Sequence, residues 1–258
     1  MSPGGPAASL SVAIVVLNEE ERLRACLESV VWADEIVVVD AGSSDKTVAI
    51  AREFTDRVLF RPWDGYVAQK NFALEQCRGD WLLSLDADER VSDALREEIR
   101  GTLRGGRDEV GFYLPRRNLF QGRWVRHGGL YPDWQLRLFR RGQGAFAERA
   151  VHESVQVDGP TGQFGAPLVH ESYRSIGDAV ARLNRYSDLA AAELARTGRG
   201  GSLVDLLGRP VWRFMSMYVL RAGFLDGWRG LVLAGLHAHY VFLRAAKVRE
   251  RRAGRGVV

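Results

Sequence analysis

Short, β-branched apolar runs alternate with helix-patterned segments through the first hundred residues, and no other feature of the chain constrains its fold as strongly. Strands separated by helices cannot close as hairpins. They pair in parallel through right-handed helical crossovers, which builds an α/β sheet covered by helices. Ser11 to Leu17 reads as a buried strand, and Glu20 to Val31 as a helix with Leu23, Cys26, Leu27 and Val30 on one face. Glu35 to Asp40 is a second strand, closed by Ala41-Gly42-Ser43-Ser44-Asp45, with Asp45 expected to cap a helix running to about Phe54. The unit repeats with a strand over Arg57 to Phe60 and a helix over Tyr66 to Cys77. A fourth strand, Trp81 to Leu85, ends at Asp86-Ala87-Asp88-Glu89, and a helix covers Asp93 to Leu103.

Beyond Gly111 the rhythm breaks into shorter β segments: Phe112 to Pro115, Gln135 to Phe139, Glu153 to Val157 and Pro167 to Val169. These read as a mixed edge to the sheet. Ser175 and Asp178 form a capping box for a helix reaching Ala195, and two more helical stretches follow Arg199-Gly200-Gly201. The expected organisation is a catalytic domain over residues 1–200 and a basic helical tail over 201–258.

The 258 residues suffice for one large α/β domain with an appendage, and 46% hydrophobic with 26% charged residues excludes a disordered chain and a polytopic membrane protein. Cys26 and Cys77 lie far apart without C-x-x-C spacing or histidines at zinc spacing, so they read as reduced thiols. The run Val12 to Leu17 is too short and too β-branched for a signal peptide, which places the chain in the cytosol by expectation. Charge is unevenly spread. Residues 201–258 carry ten Lys and Arg against Asp205, Asp226 and Glu250, a balance of +7, and this leaves the first 200 residues at −3. A basic tail on a mildly acidic body suits an anionic surface.

In open α/β sheets ligands bind beyond the carboxyl ends of the strands. Asp86 and Asp88 fall at such an end, where two carboxylates one residue apart can share Mg²⁺ or Mn²⁺ with the oxygens of a diphosphate. A polar turn is the plainer account of D-x-D taken alone. A haloacid dehalogenase phosphatase would carry its D-x-D after the first strand, which here ends in Leu17-Asn18-Glu19-Glu20.

That strand end, together with Asp40-Ala41-Gly42-Ser43-Ser44-Asp45-Lys46-Thr47, Gln69-Lys70-Asn71 and Asp86-Ala87-Asp88, resembles the family 2 inverting glycosyltransferases. Gly128-Gly129-Leu130-Tyr131-Pro132-Asp133, Val151-His152-Glu153 and Gly223-Phe224-Leu225-Asp226-Gly227 resemble the branch that includes lipopolysaccharide core β-1,4-glucosyltransferases. The resemblance implies the GT-A fold, that of nucleotide-diphospho-sugar transferases: an open mixed, mostly parallel sheet flanked by helices, here with a C-terminal helical extension. It implies transfer of a sugar, glucose in that branch, from a UDP-sugar to a lipid-linked or lipopolysaccharide-core glycan with inversion.

By the same resemblance Leu17, Asn18, Glu19, Asp40 and Gly42 sit against the donor's base and ribose. Lys70 and Arg137 face its diphosphate, and Asp86 touches ribose and metal. Asp88 and His152 are the other expected metal ligands, with His170 a further candidate. Asp133 is the expected catalytic base and Glu153 the runner-up, although the family commonly has Glu-Asp where this chain has Pro132-Asp133. For Asp40 a turn role, for Lys70 a solvated surface position and for Arg137 an ordinary half-exposed strand position are the competing accounts.

In the tail, the uncharged run Gly230 to Leu243 is 14 residues, short of the roughly 20 that span hydrocarbon. Apolar residues beside Arg213, Arg221, Arg229, Arg244 and Lys247 suit helices lying in the headgroup layer at the inner face of the cytoplasmic membrane. Packing on the catalytic domain, or a dimer contact, would use the same residues. Two other functions use a related sheet. A sugar-1-phosphate nucleotidyltransferase would open with a Gly-rich, Arg-containing loop that strand one lacks, and a non-catalytic nucleotide-sugar-binding subunit would keep Asp40 and Asp86 but need no base. Nucleic acid is not an expected partner, because no recognition motif accompanies the basic residues.

Overall fold

Leu10–Val16 (β1) is apolar at nearly every position, as a strand covered on both faces must be. In the computed structural model, which describes residues 7–105, 108–147, 154–173 and 175–253, β1 is the central parallel strand. It pairs with Glu35–Asp40 (β2) on one side and Trp81–Asp86 (β4) on the other, and Val58–Phe60 (β3) extends the β2 side. The crossovers are the helices Leu23–Glu28 (α1), Thr47–Arg52 (α2) and Tyr66–Glu75 (α3).

Two of these helices are shorter than the sequence pattern predicts. Helix α1 begins three residues after Glu20 because Glu20 is spent on the loop, its Oε2 accepting from the Lys46 N–H at 3.0 Å. Asp45 does not cap α2 directly. It accepts from the Thr47 N–H at 2.9 Å and from the Glu20 N–H at 3.2 Å, tying two loops together one residue before the cap position.

The sheet order is β3-β2-β1-β4-β8-β6-β12-β5. From β4 outward the pairing becomes antiparallel, through Asp133–Arg140 (β8) and Gly111–Phe120 (β6). Glu89–Val91 (β5) is a strand that the sequence pattern does not reveal. Three residues after β4 the chain re-enters the sheet at its far edge, with Glu89 opposite His170 of Leu168–Tyr173 (β12). Arg123–Trp124 (β7) and Thr161–Gln163 (β11) pair with β6, and Gly144–Ala147 (β9) with Ser154–Val157 (β10) make a separate hairpin.

The main core lies on one face of the sheet, where Leu10, Ile14, Leu83 and Leu85 pack with α1 and with Leu95 and Ile99 of Asp93–Leu103 (α4). It reaches Phe112, which stacks on Phe164 at a centroid distance of 4.7 Å and lies 5.8 Å from Trp81. Cys26 and Cys77 are both buried. Burial pushes the Cys77 thiol up to about 12 and Cys26 upward as well, so neither is poised as a nucleophile.

The chain forms two compact units. The first contains the chain up to Arg116 and Asp133–His170; the second contains Arg117–Pro132 and everything from Glu171 onward. The long helix Ile176–Arg196 (α5) belongs to the second unit, where it packs along Trp228–Ala253 (α7). The compact units thus part at residues 170 and 171, whereas charge composition divides the chain at 200 and 201. The Ser175 cap is present, its Oγ accepting from the Asp178 N–H at 3.0 Å. Arg209–Met215 (α6) is flanked by wider π turns at Val204–Gly208 and Ser216–Leu220.

Replacing Phe112 by Ala should cost about 3–5 kcal/mol, because it leaves a cavity between two rings that cannot both move inward. Urea unfolding followed by tryptophan fluorescence measures it, and a loss under about 1 kcal/mol would show that this stack is not part of the rigid core.

Candidate active site

The order β3-β2-β1-β4 reverses direction at β1, and at such a switch point the crossovers leave toward opposite faces and open a crevice beyond the strand ends. The register puts Asp86 beside Val15 and Asp40 beside Val16, so both acids stand at the same end of the sheet as the loop that begins at Leu17. Leu17 is exposed there.

Backbone hydrogen bonds lock the two loops at this end. Asn18 adopts φ +54°, a left-handed conformation that Asn tolerates, and its side chain accepts from the Ser44 N–H at 2.9 Å. Its own N–H donates to Ser43 Oγ at 2.8 Å, and the Glu19 N–H to Thr47 Oγ1 at 2.8 Å. Asp40 is buried and its carboxylate accepts from the N–H groups of Gly42 at 3.0 Å and Ser43 at 3.1 Å. Asp40 therefore performs the turn role. Gly42 sits at φ +110°, where a side chain would strain the backbone although space for a Cβ exists.

Each residue of Gln69-Lys70-Asn71 has a separate task. Gln69 Nε2 donates to the Arg61 carbonyl at 2.8 Å, and Asn71 exchanges two hydrogen bonds with the Phe146 backbone, at 2.8 and 2.9 Å. Lys70, between them, is buried rather than solvated. Its Nζ lies 2.9 Å from Asp86 Oδ1 and 5.1 Å from the centre of the Phe146 ring.

From Asp86 a chain of opposite charges runs through the sheet end. Arg137 Nη2 reaches Asp86 Oδ2 and Glu89 Oε1, each at 2.6 Å. Glu89 is fully buried; its Oε2 accepts from the Asp86 N–H at 3.0 Å, and its Oε1 lies 3.5 Å from Arg116 Nη1. Arg116 in turn grips Asp133, Nη2 to Oδ2 at 2.6 Å, as the register Arg116↔Asp133 of β6 and β8 dictates. Gln135 donates to the other Asp133 oxygen at 2.8 Å. Arg137 is buried, so it is not a half-exposed strand residue, and its Nε has no hydrogen-bond partner among the described residues.

The electrostatics follow from this geometry. Burial by itself raises the Asp86 carboxyl, but Arg137 and Lys70 outweigh it and hold the group well below the usual carboxylate range. Burial lowers Arg137, yet Asp86 and Glu89 raise it further above its ordinary value.

Asp88 takes different partners. Its Oδ2 lies 3.3 Å from Arg22 Nη1 and 3.5 Å from His170 Nε2. The two aspartates of D-x-D thus sit at the same sheet end with separate counter-ions. His152 and Glu153 lie outside the described residues; of the histidines considered from sequence, His170 is the one found beside Asp88. Among the described residues no three His, Cys, Asp or Glu side chains converge as a ready-made metal cage.

Sequence reading missed Arg22, Glu89 and Arg116. Glu89 carried a faint signal, as a third acid directly after D-x-D in a segment where one would suffice for a turn. Arg22 and Arg116 are far from Asp88 and Asp133 in sequence and carried none.

Comparison with known proteins agrees with this architecture. Residues 11–155 match the family described as "Glycosyl transferase family 2". The chain is 34% identical over 255 residues to "Lipopolysaccharide core biosynthesis glycosyltransferase LpsC" of Rhizobium meliloti (strain 1021), covering 96% of this chain and 94% of that one. It is 32% identical over 253 residues to an uncharacterized glycosyltransferase of Rickettsia bellii (strain RML369-C), covering 93% and 86%. Among solved structures, the mannosyltransferase PcManGT of Pyrobaculum calidifontis, in complex with GDP-Man and Mn²⁺, superposes with a TM-score of 0.53. At 16% identity, over 96% of this chain and 90% of that one, this likeness speaks to the fold, which is the GT-A arrangement.

Arg137→Met should destabilise the protein by about 3–5 kcal/mol at neutral pH, since it removes the guanidinium that Asp86 and Glu89 share and leaves Lys70 to answer Asp86 and the more distant Arg116 to answer Glu89. The Asp86 carboxyl is depressed in the folded state, so its stabilisation is present above the unfolded carboxylate range and is lost as pH falls through the folded value. In the variant burial dominates and the penalty should shrink as acid protonates these carboxylates. Denaturation midpoints of both proteins between neutral pH and about pH 4 test this; a penalty independent of pH would contradict it.

Proposed function

The chain belongs to glycosyl transferase family 2, and from that membership we propose that it transfers a sugar from a UDP-sugar, with inversion, to a glycan acceptor of the lipopolysaccharide-core or lipid-linked type. The observation that carries the reading is the charge chain that joins the buried Lys70 to the Asp133 carboxylate across one strand end. Its likeness to the Rhizobium meliloti relative, whose name refers to lipopolysaccharide core biosynthesis, supports the acceptor class.

In this reading Leu17, Asn18, Glu19 and Gly42 line the nucleoside side of the crevice, and Asp40 fixes the loop that Gly42 opens. Lys70 and Arg137 face the diphosphate; the partnerless Arg137 Nε offers a buried donor for a phosphate oxygen. Two carboxylates that no third His, Cys, Asp or Glu joins in a cage among the described residues fit a hard divalent cation, Mg²⁺ or Mn²⁺, that completes its shell with phosphate and water oxygens. Asp88, which lies 3.3 Å from Arg22 and 3.5 Å from His170, and Asp86 would hold it. When bound, such an ion neutralises charge on the departing diphosphate.

Asp133 is the proposed base. It accepts the proton of an acceptor hydroxyl while that oxygen attacks the anomeric carbon on the face opposite the nucleotide, and the carbon–oxygen bond to the diphosphate breaks. The Gln135 amide on Asp133 Oδ1 is the contact the hydroxyl would replace, whereas Arg116 keeps the carboxylate aimed from the other oxygen. A nucleotide-sugar binder without catalysis would have no use for this second carboxylate.

Purified protein supplied with a panel of UDP-sugars and either cation should release UDP, faster with a core-oligosaccharide acceptor. Asp133→Asn should lower turnover about 10²–10⁴-fold while leaving UDP affinity by calorimetry within a few-fold. Asp88→Asn should weaken UDP binding only when the cation is present. Binding of UDP without release from any donor would favour the non-catalytic reading; UDP affinity indifferent to chelator would remove the cation from the account.

A further inference from the structure

The second unit carries arginines that no carboxylate answers. From Arg209 to Leu225 the chain has three arginines, Arg209, Arg213 and Arg221, and no acid. The flanking acids are already engaged. Asp205 accepts from the Ser202 N–H and Oγ and pairs with Arg209 at 2.7 Å; Asp226 accepts from the N–H groups of Arg126 and His127 and meets the His127 ring at 3.0 Å. Arg213 and Arg221 have no ion-pair partner among the described residues. Arg213 is half-buried, and burial together with neighbouring Arg221 and Arg244 pushes its guanidinium below the ordinary value, which is the mark of positive charge crowded without compensation.

The same stretch exposes large apolar side chains. Leu207, Val211, Met215 and Val219 recur every four residues and are all exposed, and the π turns at either end of α6 absorb the drift that a four-residue repeat has on an α-helix. Trp212 and Leu220 beside them are 65% and 66% exposed. A water-facing helix would not hold six such residues, and a contact between protein chains would need acids to meet the arginines. No helix among the described residues is long and apolar enough to cross a membrane, so insertion would be parallel to the surface.

We propose that the segment Leu207 to Leu220 is a docking surface for a lipid bilayer with anionic headgroups. The apolar side chains enter the acyl boundary, and Arg213 and the adjoining Arg221 take headgroup phosphates in place of the carboxylates absent between Arg209 and Leu225. This binding is separate from sugar transfer and stands whether or not the chain is catalytic.

The test is flotation of the full chain with vesicles of phosphatidylcholine alone, or with about one-third phosphatidylglycerol, a content that gives a strongly negative surface. The protein should float with the anionic vesicles and lose most of that binding on the neutral ones, each arginine contributing about fivefold. The double variant Trp212→Ser, Leu220→Ser should bind at least about a hundredfold more weakly, the smallest loss expected for removing two buried apolar side chains of this size. Val31→Ser, a substitution of a 60% exposed residue in the first unit, should bind as the unchanged protein does. Circular dichroism and melting confirm that the double variant is folded, and its release of UDP from donor in the absence of lipid should be unchanged. Arg213→Gln should lower binding to anionic vesicles alone. The proposal falls if the chain does not float, if the double variant floats as well as the unchanged protein, or if sedimentation shows a dimer that the double variant dissociates, since a second copy would then cover this surface.

Discussion

The site depends on one constraint: a carboxylate at a covered strand end must be matched by a cation that is itself held. Four carboxylates, Asp86, Asp88, Glu89 and Asp133, stand among four cations, Lys70, Arg22, Arg116 and Arg137. From Lys70 to Asp133 the pairs share members, while Asp88 meets Arg22 and His170 instead. Glu89, fully buried, is shared by Arg116 and Arg137, and each of these reaches onward to a more accessible aspartate. A buried charge of either sign left alone is costly, so the members hold one another in register. A nearly neutral network of this kind suits the proposed transfer, because the dipoles are oriented before charge moves.

The neighbouring loops are fixed by a different means. Asn18, Asp40, Asp45 and Thr47 spend their polar atoms on backbone N–H groups, which locks the strand ends of β1 and β2 against each other. Irregular backbone beside a ligand crevice cannot satisfy itself through helix or sheet ladders. Short polar side chains supply the missing partners, which is why the loops are rich in Ser, Asn, Asp and Thr.

The two units treat charge in opposite ways. In the first, Arg22 and Arg137 are buried and matched; in the second, Arg213 and Arg221 have no ion-pair partner among the described residues and lie among exposed apolar residues. The matched set orders a site, whereas the unmatched set needs an outside counter-charge.

Much of the fold was legible because local rules decide it. Short apolar runs and helix-period patterns located the four parallel strands β1 to β4 and their crossovers, and Asp93–Leu103 and Glu35–Asp40 fall at their expected bounds. Strand β5 was hidden, since three residues, Glu-Arg-Val, carry no period, and only pairing with β12 makes them a strand. Asp86 could be named as a candidate because two acids one residue apart follow a strand, whereas Lys70, Arg137 and Asp133 were named through the family resemblance. What joins them could not be named. Arg22 to Asp88 and Arg116 to Asp133 are contacts set by sheet register and by the return of the chain to a distant edge. Sequence alone determined the parallel α/β core and which chemical groups stand at its strand ends, because hydrophobic periodicity and turn chemistry are local. Only tertiary structure decided which charge answers which, because the Coulomb energy of a buried pair depends on distance through space and not along the chain.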